Sequence, residues 1–136
     1  MLCEIDIYPV APDAEYRRIL QELRDLKIPT SLLCSGRVYL LAGEVSGEAL
    51  ERLAVTLLTD TVTERYALMG PGQLPPVQKI VADMPNGLHA ITVLTVLPHP
   101  DVMDPVVESV MLAARDLGLP EVRVLRTGRR YWFADA

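Results

Sequence analysis

Cys34, followed by Ser35 and Gly36, is the residue best placed by type to act as a nucleophile, and Cys3 is the only other thiol. A thiol attacks as its thiolate, which needs a nearby base or positive charge to form at neutral pH. The two histidines, His89 and His99, lie in or beside a proline-rich stretch and the strand that follows it, and nothing in the spacing ties either to Cys34. Both cysteines sit in apolar, strand-like segments, so small buried thiols are expected. They are not spaced as metal ligands. No G-x-x-x-x-G-K-[ST] phosphate loop, G-x-G-x-x-G turn or G-x-S-x-G elbow occurs. The expectation is therefore no catalytic residue, no metal site and no cofactor bound by this chain alone. Asp101 and Asp104 could hold a cation. Asp104 directly before Pro105 reads more simply as a helix N-cap, with its charge at the positive end of the helix dipole.

One cluster stands out by charge. Arg115, Arg123, Arg126, Arg129 and Arg130 fall within sixteen residues, against only Asp116 and Glu121. Arg123, Arg126 and Arg129 around Gly128 are candidates to grip a carboxylate or phosphate through their forked donors, with Asp104 nearby. A solvated sheet edge guarded by charge is the plainer reading. Trp132 beside them is a candidate interface anchor or a core residue.

These residues sit in an acidic chain of 136 residues with a formal net charge of −5, half of it apolar and 23% charged. That balance suits a globular protein with a sizeable core. It disfavours a general nucleic-acid binder, which needs a cationic face. No charge-free apolar run reaches the roughly 18–20 residues of a membrane helix, and acidic residues stand where a signal peptide wants lysine or arginine. A cytoplasmic protein is expected.

The elements that must position the candidates follow from periodicity. Cys3, Ile5 and Ile7 alternate with Glu4 and Asp6, which predicts a half-buried strand over 2–8 ended by Pro9 and Pro12. Asp13 caps a helix whose stripe is Tyr16, Ile19, Leu20, Leu23 and Leu26, stopped by Pro29. Ser35-Gly36 predicts a hairpin between strands 30–34 and 37–42. Ser46 caps a second helix with Leu50, Leu53, Ala54, Leu57 and Leu58 inward, and 62–69 closes as a strand. Residues 70–87 are rich in proline and glycine and read as a linker, in which 77–82 could add a helical turn. Then 90–97 predicts a strand buried on both faces or central in a sheet. Asp104 and Pro105 open a helix with Val107, Val110, Met111, Ala114 and Leu117 inward, ended by Gly118 and Pro120. A last hairpin is expected around Thr127-Gly128.

The order repeats. Arg-Asp-Leu-Lys-Ile-Pro at 24–29 recurs as Arg-Asp-Leu-Gly-Leu-Pro at 115–120, Ser-Gly-Arg at 35–37 recurs as Thr-Gly-Arg at 127–129, and Pro9 matches Pro98. The fold expected is α+β: tandem ferredoxin-like βαββαβ modules with antiparallel sheets and helices on one face. The first spans 1–69; the second, 88–136, is incomplete (βαββ) because only eight residues follow Gly128. A fragment of a longer polypeptide is the favoured explanation, and cover by a neighbouring chain the other. Self-association through the uncovered second module is expected.

The second copy resembles the PurS small subunit of phosphoribosylformylglycinamidine synthase. The similarity rests on Ile91–Pro98, Val-Met-Asp-Pro at 102–105, Leu117-Gly118 and Val-Arg-Val-Leu-Arg-Thr-Gly-Arg at 122–129. Leu53–Leu68 is similar to the family's closing helix and strand, and two copies in one chain resemble the N-terminal region of the fused synthase. Copy one carries Pro-Asp-Ala at 12–14 in place of V-x-D-P, copy two carries His-Pro-Asp at 99–101 in place of the usual Gly turn, and Arg129 replaces a lysine. The resemblance implies a scaffold that docks the synthetase and glutaminase portions and shapes the ammonia path, in an enzyme converting FGAR to FGAM with glutamine and ATP. ATP and Mg²⁺ would belong to the synthetase portion. Tandem ACT-like modules that sense small molecules are the alternative, although those usually carry a Gly-containing turn after the first strand.

Overall fold

The computed structural model describes residues 2–43, 45–69, 91–99, 102–119 and 123–135. In chain order these form β1 (Leu2–Pro9), α1 (Ala14–Asp25), β2 (Thr30–Ala42), α2 (Gly47–Leu53) running into a π turn (Ala54–Leu58), β3 (Glu64–Met69), β4 (Ile91–Val96), α3 (Pro105–Asp116) and β5 (Arg123–Asp135). The strands make one sheet in the order β3-β1-β2-β5-β4, with every neighbouring pair antiparallel. The class is α+β. The linker at 70–87 and the turn at 77–82 fall outside the described residues.

Both long helices begin as their sequences require. Asp13 accepts from the Tyr16 amide and Asp104 from the Val106 amide, satisfying donors that the first turn leaves free. Ser46 does the same for Ala49 at the start of α2.

Two expected hairpins are absent. Thr30–Ala42 and Arg123–Asp135 are each one unbroken 13-residue strand, paired with one another and bent at irregularities near Leu32 and Leu40. The described order is therefore βαβαβ followed by βαβ, not the βαββαβ and βαββ expected. Gly36 and Gly128 mark close approach of a neighbouring strand instead of turns. A Cβ on Gly36 would lie 2.4 Å from the Ile7 carbonyl oxygen, and one on Gly128 would lie 2.6 Å from that of Val96. Glycine is used because only its backbone fits there.

The same comparison shows the repeat in three dimensions. Ile5 faces Tyr39 and Ile7 faces Arg37 in the first copy; Leu94 faces Tyr131 and Val96 faces Arg129 in the second. The two copies then join along β2 and β5, with Gly36 opposite Arg130, Arg37 opposite Arg129 and Val38 opposite Gly128. Because Gly36 and Gly128 are equivalent, as are Val38 and Arg130, this register is symmetric about the Arg37–Arg129 pair.

The main core lies on the face that carries the helices. Cys3, Ile5 and Ile7 of β1, Tyr39 and Leu41 of β2 and Val124 of β5 pack beneath Leu50, Leu53, Ala54 and Leu58 and against Ala114 of α3. Burying each large aliphatic side chain contributes about 1.5–3 kcal/mol before entropy is subtracted. α1 lies on the same side, for the Tyr131 hydroxyl donates to Glu15 (2.9 Å) and the Tyr16 hydroxyl to the Leu32 carbonyl (2.9 Å). Unlike α3, α1 has no fully buried residue. β4 was expected buried on both faces or central; among the described residues it lies at the end of the sheet, with Leu94 and Val96 half exposed.

Candidate functional site

The opposite face of the sheet carries a buried charge cluster. Arg130 of β5 lies opposite Gly36 of β2, and its guanidinium reaches across β2 to β1. Its Nη1 donates to Glu4 Oε2 (2.7 Å) and Asp6 Oδ1 (2.8 Å), its Nη2 to Glu4 Oε1 (3.1 Å) and its Nε to Thr95 Oγ1 (2.9 Å). Asp6 is fully buried and Arg130 nearly so. Burial pushes the Asp6 carboxyl up to about 7 against the pull of Arg130, and the nearby Glu4 charge pushes the same way. Burial works against the charge on Arg130, yet its bonds to the two carboxylates hold its pKa above the usual range. A carboxyl titrating near neutrality could carry a proton. However, the three clefts described below are lined by other residues. The cluster therefore acts as an internal brace joining β1, β4 and β5 across the junction of the two copies.

Two of the clefts are mates under the internal symmetry. The first, about 330 Å³, lies where the β1–α1 connection passes Cys34 and Ser35, with Tyr16 and Arg65 in its wall. The second, about 220 Å³, lies where the β4–α3 connection passes Arg126, with Pro98, Met103, Asp104 and Val107. Cys34 holds in one the place Arg126 holds in the other. Burial, with the Asp13 charge adding to it, pushes the Cys34 thiol up to about 12, which removes it as a nucleophile. The Ser35 hydroxyl beside it is buried and has no partner among the described residues. A third cleft of about 560 Å³ lies over the symmetry axis, lined by Arg37, Arg129, Val96 and Pro98 among others.

The candidate residues read from the sequence do not converge. Asp104 caps α3 and also accepts from the Thr127 hydroxyl (2.6 Å), tying the helix to β5. Arg126 Nη1 donates to the Pro98 carbonyl (3.0 Å), a second tie to the same connection. Gly128 accommodates β4, and Trp132 is fully buried, packed with Cys34 against Tyr8, Leu33 and Val93. Trp132 is thus core and not an anchor on the surface. Arg123 and Arg129 remain exposed, and with no hairpin to carry them the arginines divide between the two faces of β5. Arg129 shares its face with Arg37, whereas Arg126 and Arg130 point to the other. Sequence reasoning did not anticipate the Glu4–Asp6–Arg130 cluster or the pair formed by Arg37 Nη2 and Glu64 Oε1 (2.8 Å). The signal available was two acidic residues two apart on a strand, matched by an arginine on another.

Among the described residues no group of three or more acidic, histidine or cysteine side chains could hold a metal, and no helix is long and apolar enough to cross a membrane. No protein-family profile, curated protein or solved structure matches the chain.

Proposed function

We propose that the chain is a non-catalytic docking scaffold of the PurS type, serving a phosphoribosylformylglycinamidine synthase. The observation that carries the reading is the register: two copies of one module joined along their long strands about the Arg37–Arg129 pair. A duplicated module joined about an internal two-fold is what a tandem form of a PurS-like dimer would require. The conspicuous polar side chains support rather than react: Asp104 and Arg126 tie the β4–α3 connection to β5, and Arg130 braces β1 against it. In this reading the synthetase and glutaminase portions dock on the module, the ammonia path runs between them, and ATP and Mg²⁺ are held by the synthetase.

The test mixes the purified chain with synthetase and glutaminase subunits from a bacterium whose enzyme needs a separate PurS. Co-elution and recovery of glutamine-dependent FGAM formation are expected. No co-elution and no recovery at any chain concentration would remove the amidotransferase role.

The cleft beside Ser35 favours a second reading, an ACT-like sensor, because a buried hydroxyl without a described partner and the exposed Arg65 share its wall. Saturable amino-acid binding by calorimetry, lost in Ser35→Ala, would establish it.

A further inference from the structure

Because the second module repeats the first strand for strand, each buried position of one copy has a mate whose surroundings can be compared. Ile5 and Ile7 are 0% and 1% exposed, beside β3 and in the core formed with α2 and the π turn. Their mates Leu94 and Val96 are each 50% exposed. Leu119 after α3 is 7% exposed; its mate Ile28 after α1 is 44% exposed. The α1 stripe of Tyr16, Ile19, Leu20 and Leu23 is only half-buried, whereas Ala114, the mate of Leu23, is fully buried. β1 has β3 along its outer edge, whereas β4 has no strand along its outer edge among the described residues. The strand of the first copy, β1, and the helix of the second, α3, are thus dry, and their mates β4 and α1 are wet.

Charge identifies what is missing. In the first copy Arg37 reaches over β1 to Glu64, the first residue of β3, and to the Leu58 carbonyl before it (3.0 Å). Its mate Arg129 is exposed and makes no ion pair among the described residues. Glu15, whose carboxylate feels Arg129 from a distance, is bonded instead to Arg18 and the Tyr131 hydroxyl. Glu64 stands opposite Pro9. The mate of that position is opposite Pro98, and Pro98, Val96 and Arg129 share the wall of one open cleft.

We propose that α1, the outer edge of β4 and Arg129 form a docking surface for a partner polypeptide that presents a helix followed by an antiparallel strand, with a carboxylate at the start of that strand to pair with Arg129. Strand addition supplies main-chain hydrogen bonds, and the apolar residues at alternate positions supply specificity. A second copy of this chain is the poorer occupant. The helix–strand unit of that chemistry among its described residues, Gly47–Met69, is already seated on its own β1 and could leave only by exposing Ile5 and Ile7. This inference rests on the docking reading above and names the partner's chemistry.

The probe is a synthetic peptide with the sequence of Ser46–Met69, added to the full chain. Binding at one peptide per chain and slowed hydrogen exchange at the amides of Ile91–Val96 are expected. Arg129→Glu should weaken binding by about tenfold or more, as loss and reversal of a charge-assisted pair implies. A peptide carrying Glu64→Arg should restore most of that affinity to the Arg129→Glu chain. Arg129→Gln is the milder second variant, and far-UV circular dichroism checks that each variant folds. No slowing at β4 up to millimolar peptide, or equal binding by wild type and both variants, would overturn the proposal. So would a concentration-dependent dimer in sedimentation whose β4 amides are already protected, which would make a second copy the occupant. Peptide binding without recovery of FGAM formation would refute only the amidotransferase role, and recovery without peptide binding only the present inference.

Discussion

Replacing Arg130 with methionine tests whether the charge cluster on the face opposite the helices is a brace. The guanidinium makes three bonds to Glu4 and Asp6, at 2.7, 2.8 and 3.1 Å, and Asp6 has no exposed surface. Methionine keeps much of the volume and removes the charge, leaving two carboxylates facing one another. Breaking a buried pair from one side costs about 3–5 kcal/mol, because the partners left behind stay buried without it, Asp6 having to take up a proton to do so. The pH dependence makes the test specific. Folding raises the Asp6 pKa from 3.8 to about 7, so between those values the folded chain binds more protons than the unfolded one. The contribution of Asp6 is therefore fully present below about pH 4 and is lost as pH rises toward 7. At pH 5 Asp6 is protonated in the folded wild type, and the variant loses the guanidinium's bond to a neutral Asp6 carboxyl and the tie to Glu4. At pH 8 the wild type gains the ionised Asp6–Arg130 pair and the variant does not. Each unit of pKa difference is worth about 1.4 kcal/mol, so the deficit should be larger at pH 8 than at pH 5 by roughly 1–2 kcal/mol. Urea unfolding followed by the fluorescence of Trp132, the single tryptophan, with circular dichroism as a second probe, measures both values. A deficit below about 1 kcal/mol, the worth of an exposed pair, would show the cluster to be solvated, and an equal deficit at both pH values would show that packing alone was lost.

Gly36→Ala and Gly128→Ala should each lower stability by about 1–3 kcal/mol, since their added methyl groups meet backbone that cannot yield. Gly47→Ala, with open space around its Cβ, should be neutral or stabilising by up to about 1 kcal/mol. Equal damage at all three glycines in chemical denaturation would discredit the close-approach argument. Cys34, with its thiol pushed up to about 12, should resist a disulfide reagent at pH 8 until the chain unfolds, the thiolate fraction being on the order of one in ten thousand. Labelling of the native protein within minutes would contradict the burial described.

Local chemistry was legible where it was self-contained. Asp13 and Asp104 bound to their own first turns, and the caps placed α1 and α3 to within a residue. The stripe Leu50, Leu53, Ala54 and Leu58 faced the core as its spacing required, although the last turn widened into a π turn that periodicity does not distinguish. The repeat was legible too, because equivalent backbones reuse equivalent glycines. What those glycines do was not. Ser35-Gly36 has the composition of a tight turn, and only the neighbouring strand, distant in sequence, reveals that glycine is there to admit a carbonyl oxygen. Alternation along β1 separated Glu4 and Asp6 from Ile5 correctly. It could not show that the acidic side is also buried, because Arg130 arrives from more than a hundred residues away. Likewise the β-branched run of β4 resembles a central strand, yet its place at the end of the sheet depends on what the rest of the chain supplies.

In a symmetric homodimer every residue on the two-fold axis meets its own copy, and every change is made twice. Here the axis runs through Arg37 and Arg129, two cations face to face, one satisfied by Glu64 and the other exposed. Val38 in one half answers to Arg130 in the other, and Asp6 to Thr95. Carrying both halves on one polypeptide frees each position to change without its counterpart. A buried ion cluster that would be duplicated and crowded in a dimer of identical subunits can exist once, on one side of the junction. Orientation then becomes heritable: the two ends of the sheet are chemically different surfaces, and an assembly built on them has a defined front and back.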